Sequence, residues 1–159
     1  MKIVFVFVGK TRQGENYMEQ GVADYLGRIR RYARAEIRLV AAEQRHRGVD
    51  EAKALAKEAE RLASALADCD HVICLDEAGR QSTSVELAHL LDGLMLHAVK
   101  RTAFVVGGSG GLSAGTKGAA HRLLSLGKMT LTHEMSRLVI IEQVYRALSI
   151  RAGEPYHRT

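Results

Sequence analysis

Four glycines fall within five residues at Gly107-Gly108-Ser109-Gly110-Gly111, between the apolar run Thr102–Val106 and Ser113, a residue type that caps helices. Glycine permits positive φ and lets a ligand approach the backbone. Free N–H groups at a helix start favour anions and polar ligand edges. A plain strand–helix connection needs fewer glycines, so the cluster is expected to form a cofactor-binding turn in an α/β enzyme. Two common ligands are not supported. The dinucleotide fingerprint G-x-G-x-x-G, begun at Gly108, runs into Ser113 and sits late in the chain. The triphosphate loop G-x-x-x-x-G-K-[ST] fits the ending Gly9-Lys10-Thr11 but finds Val4 where its first glycine belongs, and Lys117 is followed by Gly118. No metal is expected either, because His133-Glu134-Met135-Ser136-Arg137 lacks the second histidine of a zinc-binding helix.

Three further groups carry chemistry. The segment Leu124–His133 is rich in small and polar residues and taken alone reads as an ordinary loop. The last helix and tail gather Arg137, Tyr156, His157 and Arg158, groups suited to stacking on a base and pairing with phosphate. The N-terminal half is basic, and its Arg28, Arg30, Arg31, Arg34, Arg38, Arg45 and Arg47 agree with the net charge of +5 and suggest an RNA-facing patch. A solvated helix face is the plainer reading of the same residues.

Strand-like and helix-like segments alternate and must position these groups. Lys2–Val8 is apolar on both faces, as a buried parallel strand requires. Helical spacing follows over Asn16–Ala33, then a strand at Glu36–Val40 and a helix over Asp50–Leu66 with the stripe Ala52, Leu55, Ala59, Leu62 and Leu66. His71–Leu75 is a third strand, closed by the turn Asp76–Gly79. Thr83 and Glu86 fit a capping box for a helix to about His97. Thr102–Val106 is the fourth strand, Ser113 caps a helix to about Leu124, and Lys128–Leu131 is a short fifth strand. Thr132 caps the last helix, whose buried side is marked by Met135, Leu138, Ile141, Tyr145 and Leu148. This alternation predicts a mostly parallel sheet with helices on both faces. Ligands of such sheets sit beyond the carboxyl ends of the strands, which selects the loops after Leu75, after Val106 and beside the short strand near Leu131.

The 159 residues suit one domain spanning 1–159, 47% apolar, with no linker or repeat. Cys69 and Cys74 fit no common zinc or redox spacing and read as reduced, buried thiols. No stretch approaches a membrane span, and MKIVFVFVGK is too short an apolar run for a signal peptide, so a cytoplasmic protein with no membrane partner is expected.

The string Phe104–Leu112, the loop Leu126–Leu131, the segment ICLDEAGR and the ending MSRLVIIEQVYRALSIRAGEPYHR closely resemble the RlmH (YbeA-like) family of SPOUT-class ribosomal RNA methyltransferases. The N-terminal KIVFVFVGK and the helix with Tyr25 and Arg28 fit as well, so the resemblance covers nearly the whole chain. It implies a SPOUT-type, Rossmann-like α/β fold with a five-stranded sheet and a C-terminal deep trefoil knot. It also implies a homodimer that uses S-adenosyl-L-methionine (SAM) to methylate N3 of a pseudouridine in 23S ribosomal RNA within the ribosome. Carried over residue by residue, cofactor contacts fall on Leu75, Gly107, Leu126, Gly127, Lys128, Met129, Thr130 and Leu131. Thr132 stands where the family usually has proline, and Glu43–Asp50 is divergent.

The implied reaction is an in-line displacement, in which a protein supplies mainly alignment and electrostatics. The neutral imide nitrogen is a poor nucleophile, so loss of its proton needs a base or a nearby cation. His157 is the candidate base or relay, Arg158 or Arg137 the candidate anion stabiliser, and Tyr156 the candidate orienter of the target base. Two other readings remain at this point: a related methyltransferase acting on another nucleotide, and a non-catalytic ribosome-associated module.

Overall fold

The computed structural model describes residues 1–10, 17–45 and 50–157. In chain order the elements are β1 (Lys2–Val8), α1 (Tyr17–Ile29), β2 (Arg34–Val40), α2 (Glu51–Leu66), β3 (His71–Gln81), α3 (Ser84–Leu96), β4 (Arg101–Val106), α4 (Ala114–Ala119), β5 (Arg122–Ser125) and α5 (His133–Arg151). The strands pair in the order β2-β1-β4-β3-β5, and every pairing is parallel. β1 and β4 are flanked on both edges, which explains why Ile3–Val8 and Thr102–Val106 are buried throughout.

The two faces of the sheet hold separate cores. Ile3, Phe5, Phe7, Ile73, Phe104 and Val106 pack with Val22, Leu91, Ile141, Val144 and Leu148 from α1, α3 and α5. Phe5 and Phe104 stack across neighbouring strands at 5.8 Å. Val4, Val6, Val8, Cys74 and Val105 face the other way, against Leu62 of α2 and Leu112. Burial of this kind, at about 25 cal/mol per Å² of apolar surface, is the main stabilising force. Both cysteines are free; Cys74 is buried, which pushes its thiol up to about 11, and Cys69 is half-buried.

Caps fix where the helices start. Thr83 and Glu86 form the expected box: the Glu86 N–H donates to Thr83 Oγ1 at 3.1 Å and the Thr83 N–H donates to Glu86 Oε2 at 2.7 Å. Ser113 Oγ accepts from the Thr116 N–H, and Thr132 Oγ1 from the Met135 N–H. Threonine therefore caps α5 adequately where proline is usual in the resembled family.

Several expected boundaries are corrected. The fifth strand is Arg122–Ser125, not Lys128–Leu131, and the helix after Ser113 stops at Ala119 rather than near Leu124. Ala120 is extended, and the His121 N–H donates to the Val72 carbonyl, so the chain turns into the sheet there. A four-residue strand has too little periodicity to be told from a continuing helix. The supposed turn Asp76–Gly79 is an excursion within β3: Leu124 pairs with Leu75 before it and with Arg80 after it. Gly79 is needed at this crossing, because a Cβ there would lie 2.7 Å from backbone atoms of Leu123 and Leu124. α1 ends at Ile29, four residues early, and β2 begins at Arg34.

The stripe on α2 is also shifted. Its buried residues are Ala54, Glu58 and Leu62, and Ala52 is exposed. Glu58 reaches the interior because Arg45 covers its carboxylate, with Nη1 2.9 Å from Oε1 and Nη2 3.1 Å from Oε2, while the Glu43 N–H also donates to Oε1. α5 buries Ile140, Ile141, Val144, Tyr145, Ala147 and Leu148, and the outer markers Met135 and Leu138 are half-buried. Among the described residues, no helix is long and apolar enough to cross a membrane.

Candidate active site

The excursion within β3 and the carboxyl ends of β4 and β5 open onto one cavity of about 430 Å³. Its walls come from three segments. Leu75, Asp76 and Glu77 lie within β3, where its excursion begins. Val106 and the whole turn Gly107–Gly111 continue β4. Leu124–Gly127 and Met129–Leu131 continue β5, and His133 and Ser136 close it from the first turn of α5. Of the eight residues carried over as cofactor contacts, seven line this cavity; Lys128 is exposed beside it. The misplaced fifth strand did not misplace the loop, because Leu126–Leu131 follows β5 directly.

The glycine turn divides its work. The Gly111 N–H donates to the Gly108 carbonyl at 3.0 Å, and Gly111 has φ +75°. At Gly107 a Cβ would lie 2.5 Å from the Gly111 carbonyl oxygen, so no side chain fits without opening the turn. Gly108 has ordinary space. Gly110 faces the side chains of Glu51 and Arg45, which packs the turn against α2. On the opposite wall Gly127 has φ +147°, and Ser125 Oγ bridges the loop by donating to the Gly127 carbonyl at 2.9 Å.

Three charged residues in the wall, Asp76, Glu77 and Lys117, escaped the sequence reading as site residues, and two of them pair. Lys117 Nζ lies 3.1 Å from Asp76 Oδ2, and the Asp76 side chain is only 14% exposed. Asp76 Oδ1 also accepts from the Ala78 N–H at 3.0 Å. The available signal was positional, since Asp76 follows Leu75 at a strand end and Lys117 follows the Ser113 cap by one turn.

The groups of the tail and of α5 lie elsewhere. Tyr156 packs edge-on against Tyr145 at 4.7 Å, with the Arg146 guanidinium 4.6 Å over its ring. Its hydroxyl donates to Glu142 Oε1 at 3.0 Å and lies 3.2 Å from the Tyr25 hydroxyl. Burial and these two partners push the Tyr156 phenol well above its usual range. The Tyr32 hydroxyl donates to Glu154 Oε2 at 2.5 Å, which raises Tyr32 to about 12. The tail is thus held on the α1–α5 face, and neither Tyr156 nor His157 lines the cavity. Among the described residues the buried Nδ1 of His157 has no hydrogen-bond partner. Arg158 lies outside the described residues.

Arg137 is buried under α5 and does not line the cavity. Its Nη2 donates to the Val8 carbonyl at 2.8 Å, its Nη1 to the Lys10 carbonyl at 3.4 Å, and its guanidinium sits 5.4 Å from the Phe7 ring centre. Burial lowers its pKa.

The arginine patch of the first third is dispersed. Arg38 pairs with Asp68 and Glu36, Arg45 with Glu58 and Glu51, and Arg28 with Asp24. Arg30, Arg31 and Arg34 remain exposed around the α1–β2 connection, and Arg47 lies outside the described residues. No group of three or more His, Cys, Asp or Glu side chains is placed to hold a metal among the described residues.

The profile of the family described as "Predicted SPOUT methyltransferase" matches residues 1–157. This chain belongs to the SPOUT methyltransferase family. A Bacillus thuringiensis protein named ribosomal RNA large subunit methyltransferase H is 41% identical over 161 aligned residues, covering 99% of this chain and 100% of the relative. Among solved structures, a Bordetella pertussis protein described as "Probable Methyltransferase" aligns at TM-score 0.56 and 18% identity, over 92% of this chain and 95% of that one. A Legionella pneumophila protein described as a "putative methyltransferase", with SAM bound, aligns at TM-score 0.50 and 15% identity, over 92% of this chain and 66% of that one. Those two likenesses concern the fold. As a SPOUT methyltransferase, the chain carries its cavity at strand ends on a wholly parallel sheet.

Proposed function

We propose that this chain uses SAM to methylate N3 of a pseudouridine in 23S ribosomal RNA, acting as a cytoplasmic homodimer on the assembled ribosome. One observation carries the reading: a single cavity built from the β3 excursion and the loops after β4 and β5, in a chain 41% identical along its length to a protein named for large-subunit ribosomal RNA methylation.

The residues present fit the cofactor. The volume falls within the range of small-molecule sites, about 300–1,000 Å³. Leu75, Leu126, Met129 and Leu131 offer apolar surface to a purine ring, and the Gly107–Gly111 and Leu126–Thr130 backbones offer close polar contacts. When bound, the cofactor supplies an electrophilic methyl carbon on a sulfonium. Leu75, Gly107 and Leu126–Leu131 hold and orient it and exclude water. His157 takes the N3 proton, directly or by relay, as the N–C bond forms and the C–S bond breaks. Arg158 stabilises the developing imide anion and Tyr156 orients the base. Arg137 acts at a distance, as the brace that seats α5 on β1.

The tail of one chain lies away from that chain's own cavity, which favours a dimer packed near the proposed knot, with Tyr156-His157-Arg158 serving the partner's cofactor. Exposed Arg30, Arg31 and Arg34 would then grip RNA presented to the other subunit. Mass mapping of 23S RNA from a strain lacking this gene tests the target. A pseudouridine without its N3 methyl group supports the proposal; an unchanged set of modifications contradicts it.

A further inference from the structure

We infer that Asp76 and Lys117 are the polar clamp for the amino-acid end of the methyl donor, Asp76 taking the ammonium and Lys117 the carboxylate. This rests on the methyltransferase reading above and adds two residues to its site.

The two side chains face each other at 3.1 Å in the cavity wall, one from the excursion of β3 and the other from α4. They are the only oppositely charged pair among the described residues that both line the cavity. The rest of the lining is apolar, glycine, hydroxyl or His133, apart from Glu77, which is exposed. A nucleoside thioether is satisfied by apolar and backbone contacts of that kind. An α-amino acid is not, because its ammonium and carboxylate lose hydration on entering a cavity and need charged partners. An Asp–Lys pair is neutral overall, as is the amino-acid zwitterion. Exchanging one internal ion pair for two intermolecular pairs conserves charge balance and strands no ion.

Position favours a ligand role as well. Asp76 is fixed before any ligand arrives, because Oδ1 accepts from the Ala78 N–H, and the excursion is pinned by the crossing at Gly79. Among the described residues Oδ2 is left to Lys117, whose side chain is 34% exposed and so can swing to meet a carboxylate. A pair serving only as a brace between β3 and α4 would work as well on the outer surface. This one opens on the cavity, next to Leu75 and Gly107.

The test is calorimetric binding of two ligands, S-adenosylhomocysteine and 5′-methylthioadenosine, which share the nucleoside and thioether but differ in the amino-acid group. In D76N and K117M, affinity for S-adenosylhomocysteine should fall about tenfold or more, the usual scale for a lost charged hydrogen bond. Affinity for methylthioadenosine should stay within about twofold, and a thermal melt of each variant confirms folding. Equal losses for both ligands would mark the pair as a structural brace and overturn the assignment, as would unchanged affinity for S-adenosylhomocysteine in both variants. If the unsubstituted protein binds neither ligand, the methyltransferase reading itself fails and this assignment with it.

Discussion

The Arg137 guanidinium donates to the Val8 carbonyl oxygen at 2.8 Å and joins the first turns of α5 to the carboxyl end of β1. Val8 also flanks the glycine turn, since a Cβ on Gly108 would sit 3.4 Å from its side chain. One buried cation thus aligns the last helix with the strand ends that shape the cavity. Replacing Arg137 with Ala leaves a buried carbonyl without its donor, which costs roughly 1–3 kcal/mol. Urea unfolding should show that loss. Full stability combined with lost turnover would return Arg137 to the chemistry itself.

A second buried charge makes a sharper prediction. Glu58 is 2% exposed, and its carboxylate is covered by Arg45. Arg45→Ala would strand that carboxylate, and breaking such a pair costs on the order of 3–5 kcal/mol. The double replacement R45M/E58M removes both charges and should recover most of the loss. If R45A alone unfolds at the same urea concentration as the parent, the pair is energetically idle. Cofactor affinity should fall in R45A too, because Arg45 packs beside Gly110 of the turn.

Tyr32 and Tyr156 set the alkaline behaviour of the tail. Both phenols are raised in the folded chain above the ordinary value of about 10, Tyr32 to about 12 by its bond to Glu154. The fold therefore favours the neutral phenol. Below pH 10 the unfolded chain also holds its protons, and the full contribution is present. Above pH 10 the unfolded chain ionises first, so stability falls as pH rises toward 12. Absorbance titration of native protein should show Tyr32 ionising near pH 12, and Y32F should flatten the decline in stability. Ionisation of every tyrosine near pH 10 would mean the tail is not docked as described.

The proposed catalysis across subunits would have a genetic signature. His157→Ala should cut methyl transfer more than tenfold and spare cofactor binding. Gly107→Ala should abolish cofactor binding, because its Cβ would meet the Gly111 carbonyl at 2.5 Å. Co-expression of the two inactive chains would restore activity if each tail serves the other's cavity, since one site per mixed dimer keeps both its glycine and its histidine. Mixed dimers as inactive as either parent would place tail and cavity in the same chain.

Much of this architecture was legible from pattern. The runs around Phe5 and Phe104 are apolar on both faces because both strands are central, and Thr83 and Glu86 announce their capping box. The three loops of the cavity followed from the strand-end rule, with Leu75 and Gly107 marking two of them. What pattern missed are features fixed by distant partners. β5 is four residues long and is defined by its pairing with β3. Glu58 sits on the buried face of α2 only because Arg45, 13 positions away, neutralises it. Arg38 and Arg45 looked like RNA ligands until their carboxylate partners were in place. The Asp76–Lys117 contact spans two elements whose proximity no local spacing encodes.

The central claim is methyl transfer to ribosomal RNA, and one incubation tests it most directly. Purified protein is mixed with methyl-labelled SAM and with ribosomes from a strain lacking the modification. The account predicts label in 23S RNA, recovered at N3 of a pseudouridine. Ribosome binding without any incorporation of label would contradict it and would make the protein a non-catalytic ribosome-bound module.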